Sequence, residues 1–185
     1  MTKKKYEFTG VTRTIPDGTI LHEIRLLRDI EWFQSGDVGG WIESEDNLSH
    51  EGDCWVFGSA EVSGSARVFG SAVMSSDALV SGSARVYGEA RVFGEARVYG
   101  EACVYGSARV YGSACVFGSA EVSGSAEVSG LARVYGEARV FGEAQVFGRS
   151  RVSGDANVHG GAHVFDEALL LGLADENEQE AEKND

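Results

Sequence analysis

His159 and His163 flank the short segment Gly160-Gly161-Ala162. Imidazole titrates near neutral pH, so this pair could supply a general base for acyl or proton transfer. Such a base is normally oriented by a second group, and no carboxylate stands at a spacing that assigns itself that role. His22 and His50 lie in the N-terminal region without recognisable partners. Cys54, Cys103 and Cys115 form no CxxC pair, so the cysteines indicate neither a zinc site nor a disulfide framework. No phosphate loop, nucleophile elbow or metalloprotease helix is present. The other chemistry on offer is recognition. Arg and aromatic residues recur around a valine: Arg91/Phe93, Arg97/Tyr99, Arg109/Tyr111 and Arg133/Tyr135, with Tyr105 and Phe117 following Cys103 and Cys115 in the same way. Arg and aromatic side chains are the usual anchors of protein interfaces.

These residues are positioned by a six-residue repeat. From Val56 to Leu170 every sixth residue is Val in eighteen of twenty cases, the exceptions being Met74 and Leu170. The residue four later is Ala in nineteen of twenty, and the residue two later is Gly in eighteen of twenty. Ser150 breaks the Ala series, and Ser76 and Asp166 break the Gly series. Side chains alternate between the faces of a strand, so Ala and Val share one face while Arg and the aromatic residue share the other. Burying Val and Ala leaves the Arg outside, which fixes the orientation. Each hexad is then one short strand and one glycine corner. A single strand of this kind cannot bury its own apolar face, so the hexads must stack.

Three hexads make an eighteen-residue triangular coil, and twenty hexads make about 6.7 coils over a length of about 32 Å. Residues eighteen apart then share a face. The first face carries Phe57, Phe93, Tyr111, Phe147 and Phe165, with Arg91 and Arg109. The second carries Tyr99, Phe117 and Tyr135, with Arg97, Arg133 and Arg151. The third carries Phe69, Tyr87, Tyr105 and Phe141, with Arg67, Arg85 and Arg139. Stacked rings and cation–π contacts are expected along these columns. Where Ser replaces the ring, as at Ser63, Ser123 and Ser129, Glu61, Glu121 and Glu127 replace the Arg.

Residues 1–51 leave the repeat. Val11–Ile15, the turn Pro16-Asp17-Gly18 and Thr19–Leu26 read as a hairpin. Trp32, Trp41 and Trp55 read as a cap over the open end of the coil, with a ligand-stacking pocket as the alternative reading. At the other end, Leu169, Leu170, Leu171 and Leu173 suggest an apolar cap or an oligomer contact. Residues 175–185 read as an acidic, solvated tail. The formal charge is −13, divided as −4 for 1–51, −4 for 52–174 and −5 for 175–185. A global basic footprint for nucleic acid is absent, and the mildly acidic coil does not suit a nucleic-acid mimic. No apolar run is long enough for a membrane span and no secretory leader is recognisable, so the cytoplasm is the expected location.

The period of six resembles the hexapeptide-repeat left-handed parallel β-helix, and the resemblance covers residues 52–174. Gly-Gly-Trp-Ile-Glu at 39–43, Asn-Leu-Ser at 47–49 and Gly-Asp-Cys-Trp-Val at 52–56 resemble the entry segment of YdcK-like proteins. That family is bacterial, often prophage-associated, and commonly labelled as transferases. The resemblance implies an all-β, single-domain, left-handed triangular solenoid with a small N-terminal β cap. Three regions follow: a hairpin and Trp-rich cap over 1–51, the β-helix over 52–174, and the tail.

Many hexapeptide-repeat proteins are trimeric acyltransferases with an acyl-CoA donor and a His base at the subunit junction. That resemblance makes His159 and His163 the catalytic candidates of an alternative, enzymatic reading. The uninterrupted hexads leave no projecting loop for an acceptor pocket. The favoured expectation is a non-catalytic, cofactor-free scaffold, homo-oligomeric, that binds a protein partner such as a host or defence factor. Its expected binding residues are Arg91, Phe93, Arg97, Tyr99, Tyr105, Arg109, Tyr111, Phe117, Arg133 and Tyr135.

Overall fold

The computed structural model describes residues 4–172. Its strands are β1 (Tyr6–Thr14), β2 (Ile20–Leu26), β3 (Val38–Ile42) and then twenty short strands from Trp55–Val56 to Leu169–Leu171. One 3-10 turn, Glu45–Asn47, lies between β3 and the coil. The coil strands pair in parallel at an offset of eighteen residues, as in Arg91 with Arg109 and Val92 with Val110. Three sheets result, of seven, ten and six strands, corresponding to the first, second and third faces. The chain is an all-β parallel solenoid of about seven turns.

The interior is the Val and Ala series. From Ala60 to Val146 these residues are at most 1% exposed. Ser150, buried in the Ala series, satisfies its hydroxyl by donating to the carbonyl of Phe147 at 2.8 Å. The corner glycines hold φ near +70°, a conformation that costs an L-residue roughly 1–2 kcal/mol. Each corner also stacks on the corner of the next coil. A Cβ on Gly88 would lie 2.9 Å from the nitrogen of Gly106. Ser76 and Asp166 adopt the same left-handed conformation, both at φ 60°.

The N-terminal strands continue the second face. β1 and β2 form an antiparallel hairpin, and β3 pairs antiparallel with β2 and parallel with the coil strand Glu61–Val62. The Pro16-Asp17-Gly18 turn is closed by the Asp17 carboxylate, which accepts from the Thr19 amide at 2.9 Å. Gly39 and Gly40 let β3 approach the first coil. A Cβ on Gly40 would lie 2.6 Å from the carbonyl oxygen of Ala60. Asn47 joins the 3-10 turn to the coil by donating to the carbonyls of Gly64 and Ala66, both at 2.9 Å.

The three tryptophans do not act alike. Trp55 is fully buried, with ring centroids 6.3 Å from both Tyr6 and Phe33. Trp41 is half-buried beneath the guanidinium of Arg13, 4.3 Å above its ring. Trp32 is 69% exposed and lies outside the core, which the segment 27–37 reaches through Ile30 and Phe33 instead. At the opposite end Leu169, Leu170 and Leu171 form an exposed strand and no apolar cap within the described residues. Leu173 and the acidic tail lie outside the described residues. Among the described residues, no helix is long and apolar enough to cross a membrane.

Candidate functional site

Parallel, in-register pairing places chemically like positions one strand spacing apart, so the outer surface is organised in columns. On the second face Tyr99, Phe117 and Tyr135 stack with centroids 4.9 Å apart and planes within 5°. Beside them run Arg97, Cys115 and Arg133 on adjacent strands. Together with Leu79 and Ser81 these residues border a shallow hollow of about 420 Å³. Burial against the ladder pushes the Tyr99 hydroxyl above its ordinary pKa, with a smaller contribution from Cys115.

The Arg columns differ among the faces. On the first face Arg109 is paired with Glu127 at 2.9 Å. On the third, Arg139 lies 3.9 Å from Glu121. Among the described residues Arg97 and Arg133 have no carboxylate within salt-bridge distance: Glu61, the acidic residue of their column, is separated from Arg97 by Leu79 and pairs with Arg13, and Cys115 stands between the two arginines. The second face therefore offers two guanidinium groups without an ion-pair partner next to an unbroken three-ring ladder and a hollow, while the third face sets Arg67 and Arg85 beside the ladder Phe69–Tyr87–Tyr105. The other expected binding residues are distributed elsewhere. Arg91, Phe93, Arg109 and Tyr111 lie on the first face, and Tyr105 lies on the third.

The columns are held in register by backbone hydrogen bonds between coils, such as the Tyr99 N–H donating to the Val116 carbonyl at 3.0 Å, and their rings stack on one another. Phe69, Tyr87 and Tyr105 stack at 4.7 and 5.0 Å, and Phe93 and Tyr111 stack at 4.9 Å. The expected cation–π contacts along the coil do not form among the described residues. Arg and ring alternate along each strand, but in-register pairing sets rings over rings and Arg over its own column. The cation–π contact found among the described residues is between Arg13 and Trp41, outside the coil.

His159 and His163 are brought to different faces. His159 extends the third-face ladder below Phe141, with centroids 5.2 Å apart. His163 lies on the first face opposite Gln145. Both are exposed, and neither donates to or accepts from a carboxylate among the described residues. Cys103 and Cys115 are free and on different faces. Among the described residues no cluster of His, Cys, Asp or Glu is arranged to hold a metal ion.

Sequence reasoning missed a buried polar cluster at the N-terminal end. Lys5 is fully buried, and its Nζ donates to the carbonyl of Cys54 at 2.7 Å and contacts its Sγ at 3.0 Å. Burial lowers the Lys5 pKa and raises that of the Cys54 thiol, and the contact between the two groups opposes both shifts. The Tyr6 ring stacks on His50 at 4.3 Å and its hydroxyl donates to the Leu48 carbonyl at 2.8 Å. Lys5 lies outside the repeat, so no periodicity in the sequence signals its burial.

Burial pushes the Tyr6 hydroxyl well above the ordinary phenol range. The unfolded chain therefore loses this proton first, and folding stability falls as pH rises above about 10. Tyr6→Phe removes that dependence. Chemical denaturation across this window is expected to show a steeper alkaline loss for the parent than for Tyr6→Phe, and equal slopes would refute the assignment.

Residues 96–112 match the family model described as the YdcK beta solenoid repeat. The chain is similar to the YdcK-like β-solenoid proteins. The matched stretch contains one strand from each face of the coil: Arg97–Val98, Cys103–Val104 and Arg109–Val110. The YdcK-type repeat thus accounts for the columns, and its description names no reaction. No curated protein matches the chain.

Proposed function

We propose that this chain is a non-catalytic β-solenoid scaffold that self-associates or binds a protein partner through its second face. The observation that carries this reading is the unbroken Tyr99–Phe117–Tyr135 ladder beside Arg97 and Arg133, two cations without carboxylate partners among the described residues. Flat rings supply large contact area at little conformational cost, and guanidinium groups supply several directed hydrogen bonds, which is why both dominate interface energetics. Unpaired guanidinium groups favour a partner surface rich in carboxylates. Three free cysteines suit the reducing cytoplasm. The prophage association of YdcK-like proteins makes a host protein the partner of choice, and no cofactor is required.

Changing Tyr99, Phe117 and Tyr135 together to Ser tests the interface. Ser already occupies this column at Ser63, Ser81 and Ser153, so the triple variant is expected to keep its fold and circular dichroism. Each lost ring contact costs about 0.5–1.5 kcal/mol of stability. Light scattering should show a smaller assembly, or affinity capture should lose the partner retained by the parent. A folded triple variant that matches the parent in both measurements would refute the second face as the interface.

A further inference from the structure

The first face contains a second candidate site, independent of the second-face reading. Its outer column runs Phe57, Ser75, Phe93, Tyr111, Ser129, Phe147 and Phe165. Where rings are consecutive they lie flat on one another, as Phe93 and Tyr111 do at 4.9 Å and 1°. Ser75 contributes no ring. Phe57 and Phe93 therefore stand two strand spacings apart, about 9.6 Å, which is the room that one further ring would take.

Comparable gaps occur at Ser129 on the first face and Ser123 on the third, but those are polar. Glu127 and Glu121 occupy the outward position two residues before each serine. The Tyr111 hydroxyl donates to Glu127 at 3.2 Å, and the Tyr105 hydroxyl lies 3.4 Å from Glu121. Arg109 and Arg139 pair with the same carboxylates. At Ser75 the corresponding residue is Val73, so the floor is apolar. The side wall is Phe33, whose ring centroid lies 5.0 Å from that of Phe57, together with the exposed Trp32. The hollow is open to solvent on its outer side and measures about 460 Å³, within the range of small-molecule pockets. Arg91 borders it and has no carboxylate partner among the described residues.

We propose that this slot binds a small planar aromatic carboxylate. The ring completes the ladder between Phe57 and Phe93, and the carboxylate lies on the Arg91 guanidinium. Stacking on the face of Phe93, in the column position that Ser75 leaves without a ring, selects a flat ring over a puckered one. The single free cation on an apolar floor selects an anion over its neutral analogue.

Phenylacetate is a suitable probe, with cyclohexylacetate and benzyl alcohol as controls lacking the flat ring or the charge. Calorimetry and ligand-observed NMR on the full chain are expected to show phenylacetate binding at least about tenfold tighter than either control. Ser75→Phe fills the gap from within, and should weaken binding by at least about tenfold while raising the melting temperature. Ser123→Phe, which fills the polar gap on the third face, should leave binding unchanged. Arg91→Gln should bring phenylacetate down to the affinity of benzyl alcohol. Phe93→Leu, which removes one stacking face, gives a second reading of the slot if Ser75→Phe does not fold. The second-face triple serine variant should bind phenylacetate as the parent does, which separates the two sites. Absence of phenylacetate binding, equal affinity for cyclohexylacetate, or unchanged binding by folded Ser75→Phe would each overturn the proposal.

Discussion

Val110→Asp is expected to leave the chain without a cooperative native fold. Val110 is fully buried and pairs with Val92 on one side and Val128 on the other. A carboxylate there has no polar partner, since the surrounding inward positions are Val and Ala. Removing a charge from water into such a site, or forcing it to take up a proton, costs several kcal/mol. That is comparable with the whole stability of an ordinary domain, about 5–15 kcal/mol. The coil has no second core to compensate, because each turn touches only its neighbours. Val110→Ala deletes methyl groups without adding charge and should cost about 2 kcal/mol while remaining cooperative. Urea denaturation followed by circular dichroism distinguishes the two. A cooperative Val110→Asp transition with a midpoint near that of Val110→Ala would show that the interior is far more yielding than its packing indicates.

Gly88→Ala is expected to destabilise by about 2–4 kcal/mol, more than a methyl group at the surface has any right to cost. Two effects combine. Gly88 holds φ +72°, which an L-residue adopts at roughly 1–2 kcal/mol. The new Cβ would also lie 2.9 Å from the backbone nitrogen of Gly106, and stacked backbone cannot swing aside as a flexible side chain does. Gly58→Ala provides the control. Its φ is +68°, but its Cβ would meet the nitrogen of Ser76 at an ordinary 3.4 Å, so only the conformational cost remains. The reverse change, Ser76→Gly, relieves a left-handed serine and should gain about 0.5–1 kcal/mol after the entropy of the freer unfolded chain is counted. The three variants should order as Ser76→Gly above the parent, Gly58→Ala below it and Gly88→Ala lowest. Equal losses for Gly88→Ala and Gly58→Ala would rule out contact between stacked corners as a source of the cost.

The coil was legible in the sequence because every hexad repeats the same local decision. Val and Ala point inward, Arg and ring point outward, and glycine turns the corner. In-register stacking then follows without further information, so the ladders Tyr99–Phe117–Tyr135 and Phe69–Tyr87–Tyr105 could be read directly from an offset of eighteen. What could not be read was anything that depends on two non-repeating segments meeting. Trp55 occupies an outward position yet is buried, because Tyr6 and Phe33 close over it. Lys5 is buried for the same reason. Trp32, read first as cap and alternatively as part of a stacking pocket, ends up as an exposed wall beside Ser75. The separation of His159 from His163 was implicit in the register, since four residues across a corner carry the chain from the third face to the first.

The constant offset of eighteen residues gives each outward side chain an address made of a height and a face. Excising a whole turn would shorten the prism by one strand spacing and return every later residue to its own face. Excising a single hexad would preserve every Val, Ala and Gly in the core pattern, yet rotate the entire downstream decoration to a neighbouring face. Arg133 and Tyr135 would then leave the side that bears Arg97 and Tyr99, although no residue type had changed. Length in this molecule is therefore a coordinate as much as a quantity, and gain or loss of repeats can rewrite a surface while leaving the interior as it was.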